Sequence, residues 1–179
     1  MSRPSSDLPD RAVQAAIALA GAAGVRNVTF DAVAAKIGAS KGAVLHHFRT
    51  KGDLIEAMVA ALVAEHRAAL ERACAADPDP VGRFSRALLR VASPGDRHAE
   101  RGLLSALLEE PERAGAMRAH WQWCHRQLEA DGIPPVHAAV IMMATDGLWL
   151  TELLGLPQFP PAVMAETLAW VDALTRRPG

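Results

Sequence analysis

Apolar residues return at helical spacing along almost the whole chain. Val13, Ile17, Leu19 and Ala20 predict the buried side of a first helix that begins near Asp7, carries Pro9 at an early position and ends around Gly24. Thr29 suits the cap of a short helix running to about Ile37. Gly38 permits a left-handed turn, and Ser40 suits the cap of a second short helix reaching about His47. Thr50, followed three residues later by Asp53, predicts a capping box with Asp in place of Glu or Gln. It opens a long fourth helix to about Ala76.

Prolines then punctuate the chain, with none between Pro9 and Pro78 and a steady recurrence through Pro161. Helices end before proline or begin just after it. The intervals carry Phe84, Leu88 and Val91, then Leu103, Leu104, Leu107 and Leu108, then Met117, Trp121, Cys124 and Leu128, again at helical spacing. No stretch alternates in the manner of a strand, and tyrosine is absent. The pattern predicts an all-α protein of about nine helices.

Composition narrows the class. The chain has 179 residues, half of them apolar and 22% charged, which excludes disordered and fibrous proteins. Apolar runs such as 136–145 fall well short of the roughly 20 residues a membrane span needs. Residues 1–9 lack the pattern of a secretory signal, so a cytoplasmic protein is expected. Two lone cysteines, Cys74 and Cys124, fit a reducing compartment. Net charge is −1, yet residues 26–51 carry five cations against Asp31, a net +4 that leaves −5 elsewhere. A local basic patch on an acidic body is an electrostatic footprint of nucleic-acid binding.

That patch coincides with the two short helices, whose Gly-containing turn describes a helix-turn-helix. Val33 and Ile37 on one helix, and Val44 and Phe48 on the other, form stripes that can close a small core across Ala34 and Ala35. Lys41, Gly42, Ala43, Leu45, His46 and His47 are left facing outward, a surface of donors and small groups suited to base edges.

The runs Thr29-Phe30-Asp31-Ala32-Val33-Ala34, Gly38 through Phe48 and Lys51-Gly52-Asp53-Leu54 resemble the DNA-binding domain of the TetR family of bacterial transcriptional regulators. The likeness extends over about residues 10–58. It implies a three-helix domain at 1–50 and a larger helical ligand-binding and dimerisation domain at 51–179, joined by the long fourth helix. By the resemblance, Lys41 and Ala43 face base edges and Thr29, His47 and Lys51 hold phosphates, with Ser40, Gly42, Leu45 and His46 completing the surface. The family commonly has Tyr where this chain has Leu45 and His46. Leu45 is therefore expected to meet thymine methyls or sugars.

Farther on, Asp146-Gly147-Leu148-Trp149 followed by Gly155 resembles one regulatory subfamily of the same group. Two faces are legible in the segment 135–156. Small residues at Val140, Ala144, Gly147, Thr151 and Gly155 join Val163, Thr167, Trp170 and Leu174 as a candidate two-fold interface, a four-helix bundle between copies. Met117, His120, Trp121, Cys124, Met142, Asp146 and Trp149 are candidates for an apolar ligand pocket with polar anchors. Asp146, an acid amid apolar neighbours, needs a partner: a ligand, or Arg118, His120 or His125.

His120, Cys124 and His125 do not suit a metal ion, because His125 points about 100° away from the face the other two share. No catalytic fingerprint, such as G-x-S-x-G or a phosphate-binding loop, occurs in the chain. The expectation is therefore a non-enzyme without cofactor or metal: a homodimeric one-component regulator, of the repressor kind usual in that family. It would bind double-stranded palindromic DNA, associate with the nucleoid when bound, and let go when a small, largely apolar effector arrives. The alternatives are a ligand-independent DNA-binding protein, or a small-molecule binder without regulated release.

Overall fold

A computed structural model of the chain describes residues 7–92 and 111–176. Among these residues there are eight α-helices and no strand: α1 (Leu8–Ala23), α2 (Phe30–Ile37), α3 (Lys41–His47), α4 (Lys51–Ala75), α5 (Arg83–Val91), α6 (Gly115–Glu129), α7 (Pro135–Leu153) and α8 (Pro161–Ala173). Single 3₁₀ turns occupy Val25–Asn27 and Pro111–Ala114. The all-α expectation holds. The expected helix around Leu103, Leu104, Leu107 and Leu108 lies outside the described residues.

The described residues fall into two compact units, one of 7–63 with 111–118 and the other of 64–92 with 119–176. In the first, α1 packs with Ala12, Ala15 and Ala16 as well as Val13 and Ala20 buried, while Ile17 and Leu19 are only half-buried. The buried side is thus carried mainly by alanines, which let α2 and α3 approach closely. Val33, Val44, Phe48, Leu54, Ile55 and Met58 complete this core.

In the second unit, Phe84, Ala87 and Leu88 of α5, Cys124 and Leu128 of α6, and Ile141 and Met142 of α7 form the core. A buried polar hub supports it. Gly82 adopts φ +69, leaving α5 without a local side-chain cap, and the carboxylate of Asp131 supplies one from a distance. It accepts from the amides of Phe84 and Ser85, each at 2.8 Å, and from Ser85 Oγ at 2.6 Å. Arg86, 4% exposed, donates to both oxygens of Asp77 at 2.8 and 3.0 Å and to the carbonyls of Val81 and Asp79. A Cβ at position 82 would lie 1.8 Å from the Thr175 carbonyl oxygen, so only glycine fits there.

Candidate nucleic-acid interface and second-unit cluster

Each end of the helix-turn-helix is secured by the residue the sequence offers. Thr29 Oγ1 accepts from the Ala32 amide at 3.2 Å, and Ser40 Oγ accepts from the Ala43 amide at 3.1 Å. Gly38 takes φ +67, a left-handed conformation that costs glycine little. Thr50 and Asp53 satisfy each other's amides reciprocally at 2.9 and 3.1 Å. Hydrogen bonding from Thr50 holds the Asp53 carboxyl below its usual range.

The interior face of α3 is Val44, with Phe48 just beyond its end, and both are buried in the first core. Lys41, Gly42, His46 and His47 are exposed, Ala43 and Leu45 are half-buried, and Thr29, Ser40 and Lys51 are exposed. The residues expected to face DNA are therefore all at least partly accessible. His46 and His47 meet edge to face at 5.2 Å.

Two contacts there were not legible in the sequence. Lys41 Nζ lies 2.8 Å from Asp31 Oδ2, and Lys51 Nζ donates to the Arg26 carbonyl at 3.3 Å. Both lysines are thus pre-positioned while still exposed. A third is Arg113, whose guanidinium rests on the first turn of α4. Its Nη1 is 3.8 Å from Glu56 and 4.0 Å from Asp53, and a Cβ at Gly52 would lie 2.0 Å from its Cζ. Nothing in local sequence pairs residues sixty apart.

In the second unit, α6 turns His120, Cys124 and Leu128 inward at four-residue spacing. His120 Nε2 is 2.8 Å from His66 Nδ1 and 3.6 Å from Cys124 Sγ, and its ring stacks on Trp123. Trp123 in turn carries the Arg67 guanidinium 4.4 Å above it. His66, unremarkable on a long helix, is thus part of the cluster. Burial pushes the Cys124 thiol up to about 11, with a contribution from the Asp146 charge. His125 is exposed whereas His120 and Cys124 are buried.

Burial, then the neighbouring His66 and Arg67, hold His120 down to about 4 from an ordinary 6.5, so it is neutral at pH 7. The unfolded chain takes up this proton as pH falls below about 6.5, and the folded chain resists it until about 4. The associated stability is complete above that window and lost on descending through it. Urea midpoints of the wild type should therefore fall more between pH 7 and pH 5 than those of His120→Gln; parallel pH curves would contradict this assignment.

Met117 packs in the first unit's core, whereas Trp121, Met142, Asp146 and Trp149 belong to the second with His120 and Cys124. Trp121 and Trp149 meet edge to face at 6.2 Å. Burial raises the Asp146 carboxyl, and Trp121 together with His125, one of the partners expected for it, opposes this. Arg118 donates to the Glu112 carbonyl.

Of the candidate interface residues, Val140, Ala144, Thr151 and Leu174 are half-buried, with Ala144 and Leu174 against their own core. Gly147, Gly155, Val163, Thr167 and Trp170 are exposed. The large uncovered apolar residues of α7 and its C-cap are Val136, Met143, Leu150 and Leu154, on a face adjoining the expected one. No described helix is long and apolar enough to cross a membrane.

A capped helix-turn-helix ahead of a helical unit with its own core defines a DNA-binding regulator. Residues 12–58 match the model of bacterial regulatory proteins of the tetR family, and residues 82–176 match the tetracycline-repressor-like C-terminal domain. The chain belongs to the TetR family of transcriptional regulators. Among solved structures, a transcriptional regulator from Rhodococcus sp. Rha1 is 26% identical over 93% of both chains, with a TM-score of 0.67. The multidrug binding protein EbrR, complexed with ethidium, is also 26% identical, covering 92% of this chain and 98% of its own, with a TM-score of 0.66. A regulator from Streptomyces coelicolor A3(2), 17% identical over 92% of this chain and 98% of its own, shares the fold with a TM-score of 0.73. No curated protein matches the chain in sequence.

Proposed function

We propose that this chain is a homodimeric, one-component cytoplasmic repressor that reads a palindromic operator with α3 and releases it when a small, largely apolar molecule binds the second unit. The observation that carries the reading is the presentation of α3. Val44 and Phe48 anchor it, Ser40 caps it, and Lys41, Gly42, Ala43, Leu45, His46 and His47 stand at the surface. Lys41 suits a guanine edge, Ala43 a thymine methyl, and Thr29, His47 and Lys51 suit phosphates. No catalytic step is assigned to any residue.

Exposed apolar residues support the dimer. Val136, Met143 and Leu150 of α7 and Leu154 at its C-cap, spaced by seven, seven and four, form one uncovered stripe, and Val163 and Trp170 are uncovered on α8. A patch of that kind marks an interaction surface, and it widens the stripe through Val140, Gly147 and Thr151. Support for effector binding comes from the half-buried Trp121, Asp146 and Trp149 and from the small molecule held by EbrR. For release, α6 carries effector candidates in its later turns, while its start packs against the first core and the preceding Arg113 packs on Gly52 of α4. A shift of α6 would then move α4 and the separation of the two reading heads.

Selection of bound duplexes from a random pool, at two salt concentrations, tests the reading. The expected result is an inverted repeat that survives the higher salt, whereas Met143→Glu yields monomers that retain only half-sites. Unselective, salt-labile binding by the wild type would overturn it.

A further inference from the structure

Residues 26–51 carry Arg26, Lys36, Lys41, Arg49 and Lys51 against a single acid, Asp31. It stands in the first turn of α2, where a carboxylate suits the positive end of a helix. Thr29 already caps that end through the Ala32 amide at 3.2 Å, and the carboxylate bonds elsewhere. Its Oδ2 accepts from Lys41 Nζ at 2.8 Å, ten residues along the chain, across the turn to the first residue of α3. The one acid of the basic patch is thus spent on one cation of the reading helix.

Lys41 itself runs against the local rule. A cation in the first turn opposes the positive end of its own helix, so α3 gains no stability from a lysine there. Departures of this kind mark functional positions. The pair is open to water, with the Lys41 side chain 53% and that of Asp31 69% exposed. An exposed pair shifts an equilibrium by about fivefold at most, so folding is a weak reason for either residue.

What the contact does is fix the ammonium. A free lysine brings much rotamer freedom to an encounter, and a carboxylate at 2.8 Å narrows it. The ammonium has three N–H donors; with one on Asp31, two remain, the number that O6 and N7 of one guanine accept. A phosphate approaching Lys41 meets the like charge of Asp31 beside it, whereas a guanine edge carries no full charge to be repelled.

We propose that Asp31 is the positioning residue for Lys41: it aims the ammonium at a guanine edge and withholds it from phosphates, sharpening sequence discrimination while weakening non-specific binding. This rests on the reading of α3 as the helix that contacts bases, and gives that reading a residue outside α3.

Duplex selection from a random pool, and titration of a non-cognate duplex over a range of salt, test it on the full chain. Asp31→Asn keeps the shape and removes the charge. It should relax the preference for guanine at one position of each half-site by about fivefold or more. On the non-cognate duplex it should steepen the slope of log affinity against log salt by about 0.9, as one added phosphate contact does. Lys41→Ala should relax the same position, and in that background Asp31→Asn should produce less than half of either effect, since no ammonium is left to aim. Asp31→Glu, which keeps the charge, should retain the preference. Positions 31 and 41 are both exposed, so melting temperatures should stay near that of the wild type.

Effects of Asp31→Asn that persist by half or more without Lys41 would mean plain repulsion of phosphates and would overturn the proposal. Unchanged base preference in Asp31→Asn would do the same, and both results leave α3 as the reading helix. A wild type that selects no sequence would overturn that reading and the proposal together.

Discussion

Arg86→Met should cost about 3–5 kcal/mol of folding stability, the usual penalty for leaving a buried charge without its partner. Both members of the pair are nearly inaccessible, with Asp77 5% and Arg86 4% exposed. Removing the guanidinium strips the Asp77 carboxylate of two hydrogen bonds at 2.8 and 3.0 Å and frees the carbonyls of Val81 and Asp79. Arg90, 2.9 Å from Asp77 but half-exposed, can replace only part of this. Urea denaturation checks the expectation, and Arg86→Met with Asp77→Leu should recover much of the loss. The same pair sets the acid limit. Hydrogen bonding from Arg86 holds the Asp77 carboxyl far below the usual carboxylate range, so its contribution is full above about pH 4 and lost as pH falls toward the depressed value. Acid sensitivity should therefore be smaller in the double variant. An Arg86→Met protein as stable as the wild type would show that the hub is dispensable.

Phe48→Ala should cost a similar amount, about 3–5 kcal/mol, and abolish operator binding although position 48 faces the core. Phe48 is 8% exposed and packs in the first core with Val33 and Val44. A helix of seven residues, Lys41–His47, is too short to persist without such an anchor. His46→Ala supplies the contrast: an exposed side chain whose loss should change stability by at most about 0.5 kcal/mol while weakening DNA binding. Thermal melts and operator titrations on both variants separate the two roles. Undiminished operator binding by Phe48→Ala would mean that α3 is held by something other than its core side.

The DNA-facing half was legible because its determinants are local. Thr29, Ser40 and the Thr50–Asp53 pair act on amides within three residues, Gly38 sets its own backbone, and Val33, Ile37, Val44 and Phe48 declare an inward side by spacing. The first helix was less transparent. Its burial falls mainly on alanines, while the larger Ile17 and Leu19 are only half-buried, since closeness of approach, and not side-chain size, decides which face is covered.

Spacing on α7 named a candidate interface stripe of small residues, of which Gly147 and Gly155 are exposed, and the large apolar residues Val136, Met143, Leu150 and Leu154 are uncovered beside it. Which face remains open depends on where α5 and α8 pack, and periodicity does not carry that information. For the same reason Met117 joined the other candidate pocket residues in sequence but packs in a different core.

The sequence by itself determined the helices, their caps, the helix-turn-helix and the outward set on α3, because hydrogen bonds to neighbouring amides and helical periodicity act over a few residues. The tertiary structure alone decided the partners of charged and polar groups: Arg86 with Asp77, Asp131 with the start of α5, Arg113 on Gly52, and His66 with His120. A buried charge or imidazole must find a partner wherever the folded chain brings one within about 3 Å, and that distance in space bears no fixed relation to distance along the chain.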